Sequence, residues 1–243
     1  MSPDSRKHRG AHPDDPRLFA EDRIPILRQA TAELSWLLTR GYAQASSLKI
    51  VGDHHGLTAR QRVAVGRAAC SDQQRQKRDS SRLQIQEAKG RALAIDGFNL
   101  IITVEASMSG GVLLLARDGC IRDLSSVHGS YRSVVETENA VRLIGETLEA
   151  LQPRSATWFL DKPVSNSGRL ASLILDLSGE RGWQWDVHLV MNPDAVLSSG
   201  NLMSITSDSV ILDRTSRWIN FGRYLIECNL PSAWVVNLGD LLS

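Results

Sequence analysis

Apolar residues change their spacing along the chain near residue 90. Before that point they recur every three or four residues, which predicts helices over residues 24–40, over 46–53 and from Thr58 onward. Thr58 and Gln61 also have the spacing of a capping box, the reciprocal side-chain arrangement that starts many helices. The first part of the chain is therefore predicted to be helical.

Short apolar runs replace this pattern in the rest of the chain. Such runs are typical of strands covered on both faces, and the predicted strands are ALAID, TWFLD, WDVHLVM, SITSD and AWVVNL. The stretch GVLLLARDGCIRDL predicts a hairpin that turns at Asp118 and Gly119. The second part of the chain is therefore predicted to contain a sheet.

Amphipathic helices are predicted between these strands, over residues 134–151, from about 170 to Gly179, and near 217–228. Alternation of strands and helices is typical of right-handed crossovers and a mainly parallel sheet. We therefore predict an α/β fold class, with a mainly parallel sheet flanked by helices and an α-helical N-terminal region.

Composition divides the chain into three parts. Residues 1–20 are polar and contain three prolines, which predicts a flexible tail. Residues 21–89 form the predicted helical region and end in a Gln-, Arg- and Ser-rich linker, and residues 90–243 form the predicted α/β domain. No apolar run approaches the roughly 20 residues of a transmembrane helix, and the start of the chain lacks a signal-sequence core. We expect a cytoplasmic protein.

Aspartates end three of the predicted strands. Asp96 ends ALAID, Asp161 ends TWFLD and Asp208 ends SITSD. The carboxyl ends of parallel strands meet at one edge of a sheet, where ligands bind. Carboxylates brought together there repel one another unless their pKa values rise or a divalent cation neutralises them. The sequence thus predicts a Mg²⁺ or Mn²⁺ site, and the alternative is that each aspartate only caps the following helix.

A fourth acid is expected on the helix near residue 140. At 100° per residue, Glu138 falls beside the apolar stripe of Val134 and Val141, whereas Glu136 points to the opposite side. Glu138 is therefore preferred as the additional site residue. The alternative is that both glutamates are ordinary surface residues.

A polar cluster follows Asp161 at the predicted start of the next helix. Its candidate substrate-binding residues are Ser165, Asn166, Ser167 and Arg169. Hydroxyl and backbone N–H groups at a helix N-terminus can hold a phosphate, and an arginine can pair with one. Simple capping of the helix, with a solvated arginine, is the alternative.

The segment Asp96-Gly97-Phe98-Asn99 resembles the D-G-x-N opening of NYN domains, a branch of the PIN-like nucleases. The later segments LDKPVSNSG and TSDSVILD resemble that family's later acidic positions, and residues 91–240 are compatible with its Rossmann-like fold. The whole chain resembles a group of prokaryotic proteins in which a helical N-terminal region is joined to such a domain. The resemblance implies Mg²⁺- or Mn²⁺-dependent hydrolysis of RNA or, less strongly, of DNA.

The resemblance also assigns roles to individual positions. The residues that match catalytic or metal-binding positions of the family are Asp96, Asn99, Glu138, Asp161 and Asp208. The chain departs from the family at Ser209 and Val210, where many relatives carry another acid. Asp213 is expected to take that place among the metal ligands.

The basic stretch from Arg60 to Arg91 supports a second hypothesis. It carries nine Lys or Arg residues against three acidic ones, although the net charge of the chain is only +1. A catalytically silent nucleic-acid-binding module would bind phosphates through such a stretch, with salt-dependent affinity, and the predicted helix pair before residue 70 resembles a helix-turn-helix. A third hypothesis is an interaction subunit that forms a homodimer through its helical region.

Overall fold

The computed structural model describes residues 9–125, 131–199 and 202–239. The α-helices of these residues are α1 (Asp15–Leu18), α2 (Ile24–Thr39), α3 (Gln44–His54), α4 (Ala59–Ala68), α5 (Asp72–Ser81), α6 (Gly97–Met108), α7 (Thr137–Leu151), α8 (Ser167–Arg181), α9 (Pro193–Ser199), α10 (Ser209–Leu212) and α11 (Phe221–Asn229). The strands are β1 (Arg82–Leu83), β2 (Ala92–Asp96), β3 (Leu113–Leu115), β4 (Ile121–Asp123), β5 (Ser155–Asp161), β6 (Trp185–Val190), β7 (Met203–Ile205), β8 (Trp218–Ile219) and β9 (Val235–Asn237). Two short 3-10 helices span Glu21–Arg23 and Ile85–Ala88.

The larger sheet is parallel throughout its described strands, in the order β1-β8-β7-β2-β5-β6. Strand β2 lies at its centre and is buried on both faces, which accounts for the continuous apolar run ALAID. The predicted α/β class is thereby confirmed. After β6 the chain crosses back past β2 to form β7, so the strand order reverses beside β2. Crevices at such a reversal are the usual ligand sites of open α/β sheets.

The predicted hairpin at Asp118 and Gly119 is confirmed, but it belongs to a second sheet. Strand β3 pairs antiparallel with β4 and parallel with β9, with Leu113 opposite Val235. Helices from the N-terminal region pack against this sheet, and the shared core includes Leu34 and Leu114. The helical region and the last described strand therefore form one packed unit.

Part of the expected tail belongs to this unit. Leu18 and Phe19 are buried, and the buried Asp15 accepts a hydrogen bond from Arg60 Nη2 at 2.7 Å. These contacts place α1 against the helices, whereas residues 1–8 of the expected tail lie outside the described residues.

The predicted helices agree with the structure except near residue 217, near Gly179 and in the expected linker. The helix expected near 217–228 begins only at Phe221, because Trp218 and Ile219 form β8 of the larger sheet. The capping box at Thr58 and Gln61 is present at the start of α4. Helix α8 continues past Gly179 and ends at Gly182, whose φ of +70° suits glycine. Helix α5 lies in the expected linker, and it buries Arg78. None of the described helices is long and apolar enough to span a bilayer.

Candidate active site

Asp96 lies at the carboxyl end of the central strand, immediately before α6. Gly97 lets that helix start close to β5, because a Cβ atom at position 97 would lie 2.5 Å from Leu160 Cδ2. The Asp96 Oδ2 accepts a hydrogen bond from Thr206 Oγ1 at 2.8 Å. The carboxylate also interacts with the Asn99 backbone N–H in the first turn of α6, which opposes the rise in its pKa. Asp96 is therefore tied both to α6 and to the loop after β7.

A loop after β7 carries Asp208 into the same region. The Asn99 side-chain oxygen holds this loop by accepting hydrogen bonds from the Ser207 backbone N–H at 2.9 Å and from its hydroxyl at 3.0 Å. Asp208 Oδ1 accepts a hydrogen bond from Val210 N at 2.7 Å and caps α10. Asp208 thus has the expected capping role, yet it also lines the cleft described next.

A cleft of about 510 Å³ at this edge of the sheet is lined by five aspartates. Four of them follow strands of the larger sheet, namely Asp96, Asp161, Asp194 and Asp208. The cleft lies at the reversal of strand order beside β2, as expected for a ligand site in this fold class. The structure thus brings together the three aspartates predicted from strand ends and adds a fourth.

The charges of some of these aspartates raise the pKa values of others. Burial raises the pKa of Asp96 to about 7, and the charges of Asp208 and Asp194 add to the rise. Burial and the charge of Asp194 raise the pKa of Asp161, while burial and the charge of Asp208 raise the pKa of Asp194. Carboxylates in this arrangement favour a bound proton or a divalent cation.

Asp194 is one of the site residues that the sequence analysis missed. It lies in the first turn of α9, directly after the predicted strand WDVHLVM, and Asn192 Oδ1 accepts a hydrogen bond from Ala195 N at 3.1 Å. Asn-Pro-Asp after a strand is a recognisable helix start, with proline in the first turn. That signal could have placed a fourth acid at the same edge.

Two expected site residues, Glu138 and Asp213, lie outside the cleft. Glu138 is on the exposed surface of α7, where its Oε1 accepts a hydrogen bond from Arg142 Nη2 at 3.0 Å. Asp213 follows α10 and forms an ion pair with Arg78 Nε at 2.7 Å. Their carboxylates are occupied by arginines, so neither is placed to complete the aspartate group.

The polar cluster after Asp161 lies beside the cleft but is not part of its lining. Asn166 has a left-handed backbone with φ of +65°, and its Nδ2 donates a hydrogen bond to the Tyr131 carbonyl at 2.7 Å. Ser167 is buried, Arg169 Nη1 lies 3.5 Å from Asn166 Oδ1, and Ser165 is exposed. The expected phosphate-binding role of this cluster remains a prediction.

The lining of the cleft also includes residues of the helical region and of the hairpin. Gln44 and Arg67 come from α3 and α4, and Arg122 and Asp123 come from β4. The sequence analysis did not select these residues, because contact between the two halves of the chain has no local signature. The cleft lining therefore combines the four aspartates with residues of mixed charge.

A separate group of potential metal ligands lies on the helical region. Ligand atoms of Glu33, His54 and His55 all lie within 4.8 Å of one another, and His55 Nε2 lies 2.8 Å from Glu33 Oε2. Imidazole groups suit zinc, copper and nickel, whereas Mg²⁺ and Mn²⁺ prefer oxygen ligands. This group is therefore chemically distinct from the aspartate cleft.

Comparison with known protein families identifies the family to which the chain belongs. Residues 85–224, more than half of its length, match the family described as Domain of unknown function (DUF5616). The chain belongs to the DUF5616 family. Residues 26–80 match a second description, Protein of unknown function (DUF434). The chain is also 30% identical over 186 residues to an uncharacterized protein of Methanocaldococcus jannaschii, an alignment that covers 76% of this chain and 88% of that protein. No solved structure matches it.

The two matched regions meet at the cleft. The DUF5616 match contains all four aspartates, and the DUF434 match contains Gln44 and Arg67. Both regions therefore contribute residues to one candidate site.

Proposed function

We propose that this DUF5616 protein is a Mg²⁺- or Mn²⁺-dependent nuclease with a PIN-like domain, and that it hydrolyses phosphodiester bonds of RNA or, as the second choice, of DNA. The observation that carries the proposal is the convergence of four aspartates from separate strand ends on one cleft. The likeness of Asp96-Gly97-Phe98-Asn99 to the opening of NYN domains supports the same activity. On this proposal the protein acts in the cytoplasm.

The donor atoms of the cleft suit a hard divalent cation by their chemistry, but no three of the cleft aspartates have carboxylate oxygens within 4.8 Å of one another, so a bound cation would have to draw them together. Asp96, Asp161, Asp194 and Asp208 offer only carboxylate oxygens, the ligands that Mg²⁺ and Mn²⁺ prefer. Burial is the main cause of the raised pKa of Asp96, and a positive charge among these groups would relieve the repulsion from Asp208 and Asp194 that adds to it. When bound, the cation would lower the pKa of a water molecule and polarise the phosphoryl oxygens.

The surrounding residues hold these carboxylates in place. The Thr206 hydroxyl donates to Asp96 Oδ2, and its oxygen accepts a hydrogen bond from the Asp208 backbone N–H at 3.0 Å. Asn99 fixes the same loop through Ser207. Asn99 is therefore assigned a positioning role, and the four aspartates are assigned the binding of the cation.

The test is cleavage of labelled single-stranded RNA, structured RNA and matching DNA with Mn²⁺, Mg²⁺ or EDTA. Wild-type protein should cut with metal and not with EDTA, and Asp96→Asn should lose the activity while keeping its circular dichroism spectrum. Glu138→Gln is the matched control, since it removes a carboxylate outside the cleft and should cleave normally. Wild-type protein that is inactive on every substrate with either metal would overturn the proposal.

The contacts of the basic stretch weigh against the silent binding module. Arg75 and Arg82 both form ion pairs with Asp79, at 3.8 and 3.2 Å. Arg78 is buried between Asp118 and Asp213. These contacts offset much of the positive charge that such a module would present to nucleic acid.

A further inference from the structure

A group of three potential metal ligands joins two helices of the N-terminal region. Glu33 lies on α2, His54 is the last residue of α3, and His55 follows it. One ligand atom from each side chain lies within 4.8 Å of the other two. Within the described ranges of the chain, no other three His, Cys, Asp or Glu side chains come this close together. The group is therefore more compact than the carboxylates of the aspartate cleft.

The end of α3 positions the two histidines. The His55 N–H donates to the Val51 carbonyl at 3.1 Å, and Gly56, with φ of +58°, turns the chain directly afterwards. The two imidazole rings are inclined at 80° and their centroids lie 4.7 Å apart. Both rings reach the Glu33 carboxylate, so neighbouring positions in the sequence supply two nitrogen ligands to one place.

The carboxylate is held by contacts on both of its oxygens. Gln29 Nε2 donates to Glu33 Oε1 at 3.1 Å, and His55 Nε2 lies 2.8 Å from Glu33 Oε2. A hydrogen bond from a neighbour orients a carboxylate that binds a metal. Helices α2 and α3 also share a core that includes the buried Leu34 and Val51. The helix pair therefore carries the three ligands on a packed frame.

A metal ion has an open path to this group. His54 is exposed, and Glu33 and His54 line a surface cleft of about 570 Å³. The other described lining residues are apolar, namely Ala32, Trp36, Leu37, Ile50 and Val51. This lining contains no arginine or lysine that would repel a cation.

We propose that Glu33, His54 and His55 bind a zinc ion that joins α2 to the end of α3. Two imidazoles and one carboxylate are a known zinc ligand set, with the fourth position left for water. Zinc lies about 2.0–2.1 Å from such ligands, so in a tetrahedral site the ligand atoms are roughly 3.3 Å apart, and side-chain shifts of about 1–2 Å would close the group around the ion.

The zinc site is separate from the aspartate cleft. Helix α3 begins at Gln44, which lines that cleft, and ends at His54. Ten steps along an α-helix span roughly 15 Å, which is too far for one ion to contact both places. This inference therefore does not depend on the proposed nuclease function.

The experiment titrates Zn²⁺ into untagged, metal-free, full-length protein by isothermal titration calorimetry. The ligand variants are Glu33→Gln, His54→Asn and His55→Asn. His188→Asn is the matched control, because it removes an imidazole that stacks on Phe159 in the larger sheet. Asp96→Asn identifies zinc that binds in the aspartate cleft instead. Circular dichroism establishes that each variant is folded.

Wild type, His188→Asn and Asp96→Asn should bind zinc with the same Kd. Each ligand variant should bind it roughly 100-fold more weakly or worse, since changes to residues that only orient metal ligands already cost about 10- to 100-fold. Zinc should also raise the melting temperature of wild type and have little effect on that of the ligand variants, because only the folded chain brings the three side chains together.

Three outcomes would overturn the inference. Wild-type protein that does not bind zinc would exclude the site and leave the nuclease proposal untouched. Wild-type affinity in the ligand variants would show that zinc binds elsewhere, and zinc binding lost in Asp96→Asn but kept in His55→Asn would assign it to the aspartate cleft. If His55→Asn does not fold, the exposed His54 provides the same comparison through His54→Asn.

Discussion

Asn99 and Ser207 join the first turn of α6 to the loop that carries Asp208. The Asn99 side-chain oxygen accepts hydrogen bonds from both the backbone N–H and the hydroxyl of Ser207, at 2.9 and 3.0 Å. This pair connects the ends of the neighbouring strands β2 and β7, which carry two of the four aspartates. The separation of Asp96 and Asp208 therefore depends on a residue that is itself neutral.

Asn99→Ala should reduce metal-dependent cleavage by tenfold or more, because the loop that carries Asp208 loses its anchor to α6. Removing two hydrogen bonds at a half-buried site should lower the free energy of unfolding by roughly 1–2 kcal/mol. Cleavage rates and urea denaturation measure the two effects. Asn99→Asp keeps an acceptor oxygen for Ser207 and should preserve the loop better. Equal activity of Asn99→Ala and wild type would contradict the positioning role.

Asp194→Asn should weaken Mn²⁺ binding by on the order of tenfold or more, measured by isothermal titration calorimetry. Asp194 acts electrostatically on Asp96 and on Asp161, so loss of its charge lowers the attraction of the cleft for a cation. Residues that only orient metal ligands already change affinity by roughly 10- to 100-fold. Glu138→Gln removes the same charge from the surface of α7 and should bind Mn²⁺ as wild type does. Equal affinity of Asp194→Asn and wild type would exclude Asp194 from the site.

Asp96→Asn should stabilise the metal-free protein at pH 8. In the folded protein the pKa of Asp96 is raised from 3.8 to about 7, mainly by burial, so folding takes up a proton between these values. The contribution of Asp96 to stability is therefore largest at acid pH, declines as pH rises toward 7 and is lowest above it. A pKa rise of this size lowers the free energy of unfolding by at most roughly 4 kcal/mol between acid pH and pH above 7.

Thermal melts of wild type and Asp96→Asn in EDTA at pH 5 and pH 8 measure this effect. The variant should melt several degrees above wild type at pH 8, and the difference should shrink at pH 5. Adding Mn²⁺ should raise the melting temperature of wild type much more than that of the variant. A variant that melts below wild type at pH 8 in EDTA would contradict the raised pKa of Asp96.

Asp118→Asn should destabilise the protein by roughly 3–5 kcal/mol, the usual effect of leaving a buried charge without its partner. The Asp118 carboxylate lies between Arg78 and Arg122, and these arginines hold the pKa of Asp118 well below its usual range against the opposing effect of burial. Urea denaturation at neutral pH measures the loss. The control is Asp72→Asn, which breaks an ion pair of Arg117 with a largely exposed carboxylate and should change stability by about 1 kcal/mol or less.

The sequence predicted much of the fold because the longer main-sheet strands have distinctive patterns. The two-residue strands β1 and β8 were missed, since they lie in the expected linker and at the start of the helix expected near 217–228. Strand β2 is buried on both faces, and the ends of β2 and β5 place Asp96 and Asp161 at one edge as expected. The sheet to which a short strand belongs could not be predicted in the same way. An apolar run such as AWVVNL specifies a buried strand but not its partner, and β9 pairs with β3 outside the main sheet.

The errors in site prediction have a related physical cause. Helical periodicity indicated which side of α7 carries Glu138, but it could not indicate whether that helix lies near the cleft. The single turn of α10 places Asp213 toward Arg78 of another helix, a contact between residues far apart in the chain. Asp194 was missed because its helix has only seven residues, which is too short for a clear periodic pattern.

The parallel pairing of β3 with β9 has a consequence for synthesis on the ribosome. Helices α2 and α4 are made early, yet the core that they share with the second sheet includes Val236 and Leu238 from the far end of the described chain. Until those residues emerge, the apolar surface of the early helices lacks part of its cover, and such intermediates tend to aggregate. The nascent chain is therefore expected to need protection by chaperones, and shortening it before β9 should yield insoluble protein.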